Sequence, residues 1–522
     1  MKCGLWLFCL GVGVSLLSGC GAGCHTVGAV THSTTVAVTD NPQVARYTYN
    51  APSAGTVAVQ FGTDASYGRS TSAVATSGGA VTILVAGMLA QTTYHMQAVF
   101  TGASGQIKDA DQTFTTGCVP CKFTGVITTQ TASGATPQPG IEMLDGINDG
   151  GIPAPVATDL AGNIIWTYMY PDQEEGVTAF PIRQLSNGDL LMLLAHNSST
   201  LLTNSTGVDS VSELREINLA GDVVRSLTIS DLNSRLAAKG STLTLGGFSH
   251  EVLPLSNGHF IVDATTEESL VLSGKTTATT VLGDVIVDLD TNLQPVWLWN
   301  TFDYLDVNRQ PFGFPDWTHA NSISYVPADG SLLYSLRHQN WVLKINYANG
   351  NGNGTIQWKL GPGGDFALLN ADGSPDTAPE DWFYSQHAAE YLSMDAQNNM
   401  QIALMDNGDD RQFASGASCP VTAGNYCYTT IPIVQINPDK LTAQYVFRQV
   451  LDPSLYSSWG GNTMVLSNGN VQYDLAGLTG TNAAVFEVTN QQSPQAVWSM
   501  AITNGWIYRG ERWPSLYPGV QW

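Results

Sequence analysis

Three observations predict an all-β architecture for this chain. Only 12% of its 522 residues are charged, whereas Gly, Asn, Thr and Trp are plentiful, with 53 Gly and 13 Trp. That composition suits an exported, strand-rich protein better than a helical cytosolic one. Short stretches alternate apolar and polar residues at the period of a strand. Two turn motifs also recur and interleave along the chain. Two hairpins per unit, repeated about six times at long and uneven spacing, describe a six-bladed β-propeller with long inserted loops. A two-sheet sandwich would produce similar turns but would not explain the aromatic residue that recurs after the polar turn in all copies but the second.

In chain order, Met1-Lys2 precedes an apolar run from Leu5 to Leu17. The run is too short to cross a bilayer and is placed like a signal peptide. Leu17-Ser18-Gly19-Cys20 matches the bacterial lipobox, so residues 1–20 are expected to be a lipoprotein signal with Cys20 the lipidated position. Gly21 after the cysteine is compatible with outer-membrane sorting, and residues 21–35 read as a linker. The expected location is the bacterial periplasm, with a lipid anchor. In an oxidising compartment, Cys118 with Cys121 and Cys419 with Cys427 are expected to form local disulfides. Cys118-Val119-Pro120-Cys121 lacks the strand–helix context of a redox motif.

Residues 36–117 read as a small fibronectin III-like β-sandwich serving as a spacer or assembly module. Alternation is clear in Thr56–Phe61 and Tyr94–Phe100, and Leu89-Ala90-Gln91-Thr92-Thr93-Tyr94 looks like a tyrosine corner. Residues 118–522 hold the repeats. Leu160-Ala161-Gly162-Asn163-Ile164-Ile165-Trp166 is the first copy of the polar-turn unit, and later copies end near Val224, Trp297, Trp358, Phe447 and Trp498. The interleaved unit is Leu185-Ser186-Asn187-Gly188, Leu255-Ser256-Asn257-Gly258 and Leu466-Ser467-Asn468-Gly469, each a tight hairpin turn.

The formal charge of −23 argues against nucleic acid or an anionic membrane surface as a partner. An anionic substrate would need a local positive exception. The stretch Asp316-Trp317-Thr318-His319-Ala320-Asn321, an Asp329-Gly330 turn, and Leu336-Arg337-His338-Gln339 supplies one. Read as a hairpin, it sets His319 and Asn321 on one side of a strand, with Ser335 and Arg337 on the returning strand. His250, His319 and His387 each open a strand in successive repeats, and a propeller would bring them together at its channel mouth.

The pattern Asp-Trp-x-His-x-Asn-Ser-Ile, then Ser-x-Arg-His-Gln, then Gln-His-x-Ala, resembles the bacterial arylsulfate sulfotransferases from about Pro137 to the C-terminus. The resemblance implies a six-bladed propeller behind a β-sandwich. It also implies sulfuryl transfer from a phenolic sulfate ester to another phenol, without a nucleotide sulfate donor or any cofactor. It carries the nucleophile onto His387 and the supporting His, His, Asn and Arg onto His250, His319, Asn321 and Arg337. It places Asn462 and Thr463 beside the substrate, finds a counterpart for the Cys419–Cys427 bridge, and extends weakly to Tyr508-Arg509.

The chemistry fits these residue types. A neutral imidazole can attack sulfur and split the transfer into two halves. Arg337 can fork onto sulfuryl oxygens. Asn321 adds a neutral donor, and His319 or His250 can shuttle the phenol proton. Trp317, Trp382 and Phe383 are candidates to line an aryl pocket. His338 and His259 are expected to be structural. No histidine pair has metal-ligand spacing, so no metal is expected. The expected partners are a small phenolic donor and acceptor, and a homodimer is compatible with the sequence. An aryl sulfatase, or a non-catalytic surface propeller binding glycans or proteins, is the competing reading.

Overall fold

The computed structural model describes residues 30–31, 34–147, 153–170, 177–196, 207–419, 427–478 and 482–522. The signal segment, Cys20 and most of the linker lie outside the described residues, as does the side chain of Cys121. Among the described residues the strands form eight sheets, antiparallel except for one short parallel strand pair. Among the described residues, no helix is long and apolar enough to cross a membrane.

Two sheets form the N-terminal module. One includes the strands Thr34–Val38, Ala45–Ala51 and Gly79–Val85, and the other is built on Gly55–Gly62 and Thr93–Gly102. Alternate residues of Ala45–Ala51 and Thr93–Gly102 are buried, at the two-residue period of a half-buried strand. Tyr47, Phe61, Phe100 and Phe114 fill the core between the sheets. The Tyr94 hydroxyl accepts the Leu89 backbone N–H at 2.9 Å, tying down the chain five residues upstream.

The remaining six sheets follow one another along the chain and are called sheets I to VI here. Their first strands are Ile141–Ile147, Val177–Gln184, Leu245–Pro254, Ala320–Val326, His387–Met394 and Thr463–Val465. The central strands are buried along their length, as in Ser331–Leu336 and Trp341–Ile345, so they read as continuous runs rather than alternations. The first strands of sheets I to VI contact one another in succession, and strand Val471–Leu478 of sheet VI touches Gly510–Trp513 in sheet I. The cycle therefore closes. Both chain ends take part, because Gly510–Trp513 pairs with Ile141–Ile147 and Ile127–Thr131 pairs with Ala496–Ile502.

Both repeats have a physical reason. The Leu-Ser-Asn-Gly copies join the first two strands of sheets II, III and VI. In each, the Asn side-chain oxygen accepts a backbone N–H two residues on, at 2.9 to 3.0 Å. Each Gly holds φ near +90°, a conformation that side chains strain to adopt. The recurring aromatic locks neighbouring sheets together. The indole N–H of Trp166 in sheet I donates to the Leu219 carbonyl in the turn of sheet II, at 2.8 Å. Trp299 of sheet III does the same to Gly354 of sheet IV, and Trp498 of sheet VI to Leu160 of sheet I.

The module and the ring share one apolar core, running from Tyr47 and Phe61 to Trp166 and Tyr517. Asn41 and Gln43 donate to the carbonyls of Thr167 and Ile164. Trp522 sits edge-on to Phe61. The C-terminal tail thus straps the module down.

Candidate functional site

Three consecutive first strands are each bulged at the residue of interest. Pairing shifts register between Phe248 and Val252 around His250, between Ala320 and Ser322 at Asn321, and between His387 and Glu390. His319 and Ala388 hold φ at +46° and +50°, the left-handed region that costs a non-glycine residue free energy. Bulges turn side chains away from their sheet. Here they gather the histidines at one end of sheets III, IV and V.

The His250 ring lies 4.9 Å from that of His319 and 5.5 Å from Tyr508. His387 meets the same Tyr508 edge-on at 6.1 Å. His319 stacks on His338 at 4.5 Å, and His338 on Phe312 at 4.6 Å. A continuous series of rings therefore runs from Phe312 inward to His387.

His387 is buried, and its hydrogen bonds define its tautomer. The Asn407 amide nitrogen donates to the carbonyls of Ser457 and Gly460 at 2.9 and 3.0 Å, so Asn407 Oδ1 must face the ring. That oxygen lies 2.6 Å from His387 Nδ1, which carries the proton and donates it. Nε2 is left with its lone pair and only a long 3.3 Å contact from the Gly460 N–H. Burial, followed by the Arg337 charge, pushes the basicity of His387 well below that of an ordinary histidine, against the opposing effect of Asn407. The side chain is a neutral imidazole with an available base nitrogen.

His319 differs. Its Nδ1 lies 2.6 Å from a carboxylate oxygen of Asp316. Burial would raise the Asp316 carboxyl, but His319 by charge and hydrogen bond, with His338 and His250 adding, holds it well below the usual range. The Ser249 hydroxyl lies 2.7 Å from His250 Nδ1. Burial, and then the charge of His319, drives its basicity far down.

Arg337 donates from Nη2 to Asp409 at 2.6 Å and from Nη1 to His338 Nε2 at 2.5 Å. Its Nε is buried without a partner among the described residues, as are Thr463 Oγ1 and Asn321 Oδ1. These buried polar atoms have unused hydrogen-bonding capacity among the described residues, which is costly unless something binds there.

Several expectations need correction. Arg337 is not on the returning strand, which ends at Leu336; Arg337–Gln339 is a tight 3₁₀ turn closed by Asn340 in the left-handed region. Strand alternation therefore does not apply, and His338 turns into the cluster instead of away from it. Trp317 is only 1% exposed. Its N–H donates to the Arg309 carbonyl at 2.7 Å and its ring packs on Phe302, so it supports the site from behind and does not line a pocket. Phe383 is likewise in the core. The Asn321 amide donates to the Gln386 carbonyl at 2.7 Å and so links two strands. Asn462 lines a separate cavity of about 200 Å³, alongside Arg183, Glu251 and Arg509. Glu251 accepts from both arginines, and Arg509 also donates to the Asn321 backbone carbonyl, bracing the site from below.

Asp316, His319 and His338 bring three ligand-type atoms within 4.8 Å of one another, a cluster that local spacing in the sequence did not reveal. A cation fits it poorly. Burial lowers the basicity of His338 to about 3, so its ring is neutral. Its Nδ1–H then donates to the Asp316 carbonyl while Nε2 accepts from Arg337, and both nitrogens are committed. The guanidinium beside it also repels a metal ion.

Sequence reasoning missed Asp316, His338 and Asn407 as members of this cluster. Asp316, three residues before His319, was the most accessible of these signals. Cys419 and Cys427 form a disulfide, with Cα atoms 5.3 Å apart. Cys118 is also disulfide-bonded. Phe312, Asp409, Asp410, Tyr456 and the Cys419–Cys427 bridge line an open cavity of about 480 Å³ beside Arg337.

No curated protein matches the chain. A solved protein of unknown function from Bacteroides caccae aligns at 12% identity over 71% of this chain and 98% of its own, with a TM-score of 0.39. A putative 6-phosphogluconolactonase from Bacteroides uniformis aligns at 9% identity over 72% and 99%, with a TM-score of 0.35. Both likenesses are too loose to bear on function. The family model for Arylsulfotransferase (ASST) matches residues 127–509, which hold every histidine of the cluster and all of the six sheets except the strand Gly510–Trp513, and the chain belongs to that family.

Proposed function

We propose that this chain moves a sulfuryl group from a phenolic sulfate ester to a phenolic acceptor in two half-reactions, through an N-sulfohistidine on His387. The observation that carries the reading is the fixed tautomer of His387, with Nδ1–H held by Asn407 and the Nε2 lone pair engaged only by the long Gly460 N–H contact among the described residues. Family membership supports aryl sulfotransfer in general. The site residues supply the steps.

In the first half, Nε2 attacks sulfur while the sulfur–phenolate bond breaks. Charge gathers on the peripheral oxygens and the departing phenolate, so positioned donors do most of the work. Arg337 is the cation at hand, and its unpartnered Nε–H together with the Thr463 hydroxyl would meet the sulfuryl oxygens. His319, oriented by Asp316, hands a proton to the phenolate. In the second half the acceptor oxygen attacks sulfur, the N–S bond breaks, and His319 takes the acceptor's proton. His250 is the poorer shuttle because its basicity is so far depressed. Atoms and charge balance without a cofactor.

On the same reading the six sheets are the blades of a propeller, the N-terminal module is a fibronectin III-like sandwich, and lipidated Cys20 anchors the protein in the periplasm. The test is transfer from 4-nitrophenyl sulfate to phenol. Stimulation of nitrophenolate release by phenol supports a transferase, whereas release unaffected by phenol, with free sulfate as product, indicates a sulfatase. Full activity in His387→Ala would discard the assignment, and Cys20→Ala should move the protein from the membrane fraction to the soluble one.

A further inference from the structure

We infer that the cavity beside Arg337 selects phenols bearing a cationic side chain, with Asp410 as the specificity-determining residue. The inference rests on the proposed transfer at His387 and names the substrate class that the site prefers.

The cavity of about 480 Å³ is lined by Pro311, Phe312, Asp409, Asp410, Tyr456 and the Cys419–Cys427 disulfide. It adjoins Arg337 and His338 directly. Phe312 stacks on His338 at 4.6 Å, and its ring centre lies 5.5 Å from the Arg337 guanidinium. A substrate ring seated against Phe312 would therefore hold its oxygen toward Arg337 and His319, with its other end in the cavity. That volume exceeds what a phenol ring alone fills, so a substituent is accommodated.

The charge there is acidic. Asp409 is already engaged, because it accepts from Arg337 at 2.6 Å and from the Tyr456 hydroxyl. Asp410 is not. Its side chain is half-buried at the cavity wall, and no hydrogen bond or ion pair engages its carboxylate among the described residues. Its backbone φ of +55° turns the residue away from the regular chain path. Arg411, the next cation along, is fully buried and committed to Asp406 at 2.6 Å, so it leaves Asp410 unneutralised. One uncompensated carboxylate in a partly screened wall attracts an ammonium group and repels a carboxylate, while a neutral substituent is indifferent.

The experiment compares three acceptors of similar size in the full-length protein, with 4-nitrophenyl sulfate as donor: 4-(2-aminoethyl)phenol, 4-ethylphenol and 3-(4-hydroxyphenyl)propanoate. The expected kcat/KM is roughly tenfold higher for the amine than for the neutral phenol, and lower still for the acid, as one partly screened charge contact allows. In Asp410→Asn the amine-to-neutral ratio should fall to near one, and in Asp410→Lys the order of amine and acid should reverse. Using ratios within each variant removes any general loss of folding or turnover. An unchanged ratio in Asp410→Asn, or no amine preference in the wild type, overturns the inference while leaving transfer at His387 intact. Absence of transfer to all three phenols sinks the parent reading instead.

Discussion

Removing the acceptor that fixes His387 should slow sulfuryl transfer without abolishing substrate binding. In Asn407→Ala, the Nδ1–H loses a buried 2.6 Å hydrogen bond. In the ground state that bond joins two neutral groups. As Nε2 bonds to sulfur, the ring acquires positive charge and Nδ1–H becomes a charged donor, so the bond strengthens in the transition state. A charge-assisted hydrogen bond contributes about 1.5–3 kcal/mol and a neutral one about 0.5–1.5 kcal/mol, so the transition state loses about 1–1.5 kcal/mol more than the ground state. At about 1.4 kcal/mol per decade, the donor half-reaction should slow by about 5–13-fold. The assay is the pre-steady-state release of 4-nitrophenolate at saturating donor, which isolates the first half-reaction.

Asn407→Asp provides a second reading that a mere packing defect would not. Wild-type His387 is held neutral well below the ordinary histidine value of 6.5, first by burial and then by Arg337. No acid limb from His387 should therefore appear as pH falls through 6.5; the loss of its base nitrogen comes only at more acidic values. A carboxylate at position 407 favours the imidazolium, so the acid limb should move to higher pH. If Asn407→Ala released nitrophenolate within about twofold of the wild-type rate, and Asn407→Asp left the pH profile unmoved, the tautomer reasoning would be wrong.

Other outcomes follow from the same geometry. Arg337→Lys keeps a charge but loses the planar fork shared among Asp409, His338 and the open Nε, and kcat/KM should fall by about two orders of magnitude. Trp317→Phe removes the N–H donated to Arg309, so it should cost about 1–2 kcal/mol in denaturant unfolding while leaving KM for the donor within a few-fold. A pocket-lining tryptophan would show the opposite pattern. Reduction of Cys419–Cys427, or the double serine variant, opens a ring of eight-residue separation and should lower stability by about 2–3 kcal/mol, read as a drop in thermal midpoint. The serine variant should then be insensitive to reductant.

The sequence was most legible where chemistry depends on residue type. His250, His319, Arg337 and His387 stand near one another: His250 sits at a bulge within Leu245–Pro254, His319 and Arg337 flank the paired strands of sheet IV, and His387 opens His387–Met394. Orientation was less legible. Strand alternation assumes regular pairing, and the site is built where pairing breaks, at three bulges and a 3₁₀ turn. That is why His338, expected to be structural, joins the cluster, and why the Asn321 amide, expected to be a donor to substrate, links two strands instead. Asn407 follows the last residue of strand Met400–Met405 by two positions and has no local signature; only the tertiary contact with His387 reveals it. Trp317 misled for a related reason, since an aromatic beside a functional histidine can serve equally as wall or as backing, and its fully buried ring settles which.

Whether His387 Nε2 becomes covalently sulfated is the most direct question to put to the molecule. Brief incubation with 4-nitrophenyl sulfate and no acceptor, followed by an alkaline quench and peptide mass spectrometry, should find one added SO₃ on the peptide containing His387. The adduct should disappear when phenol is supplied and should be missing from His387→Ala. Nitrophenolate release at full rate with His387 never modified, or with the adduct on another histidine, would contradict the account.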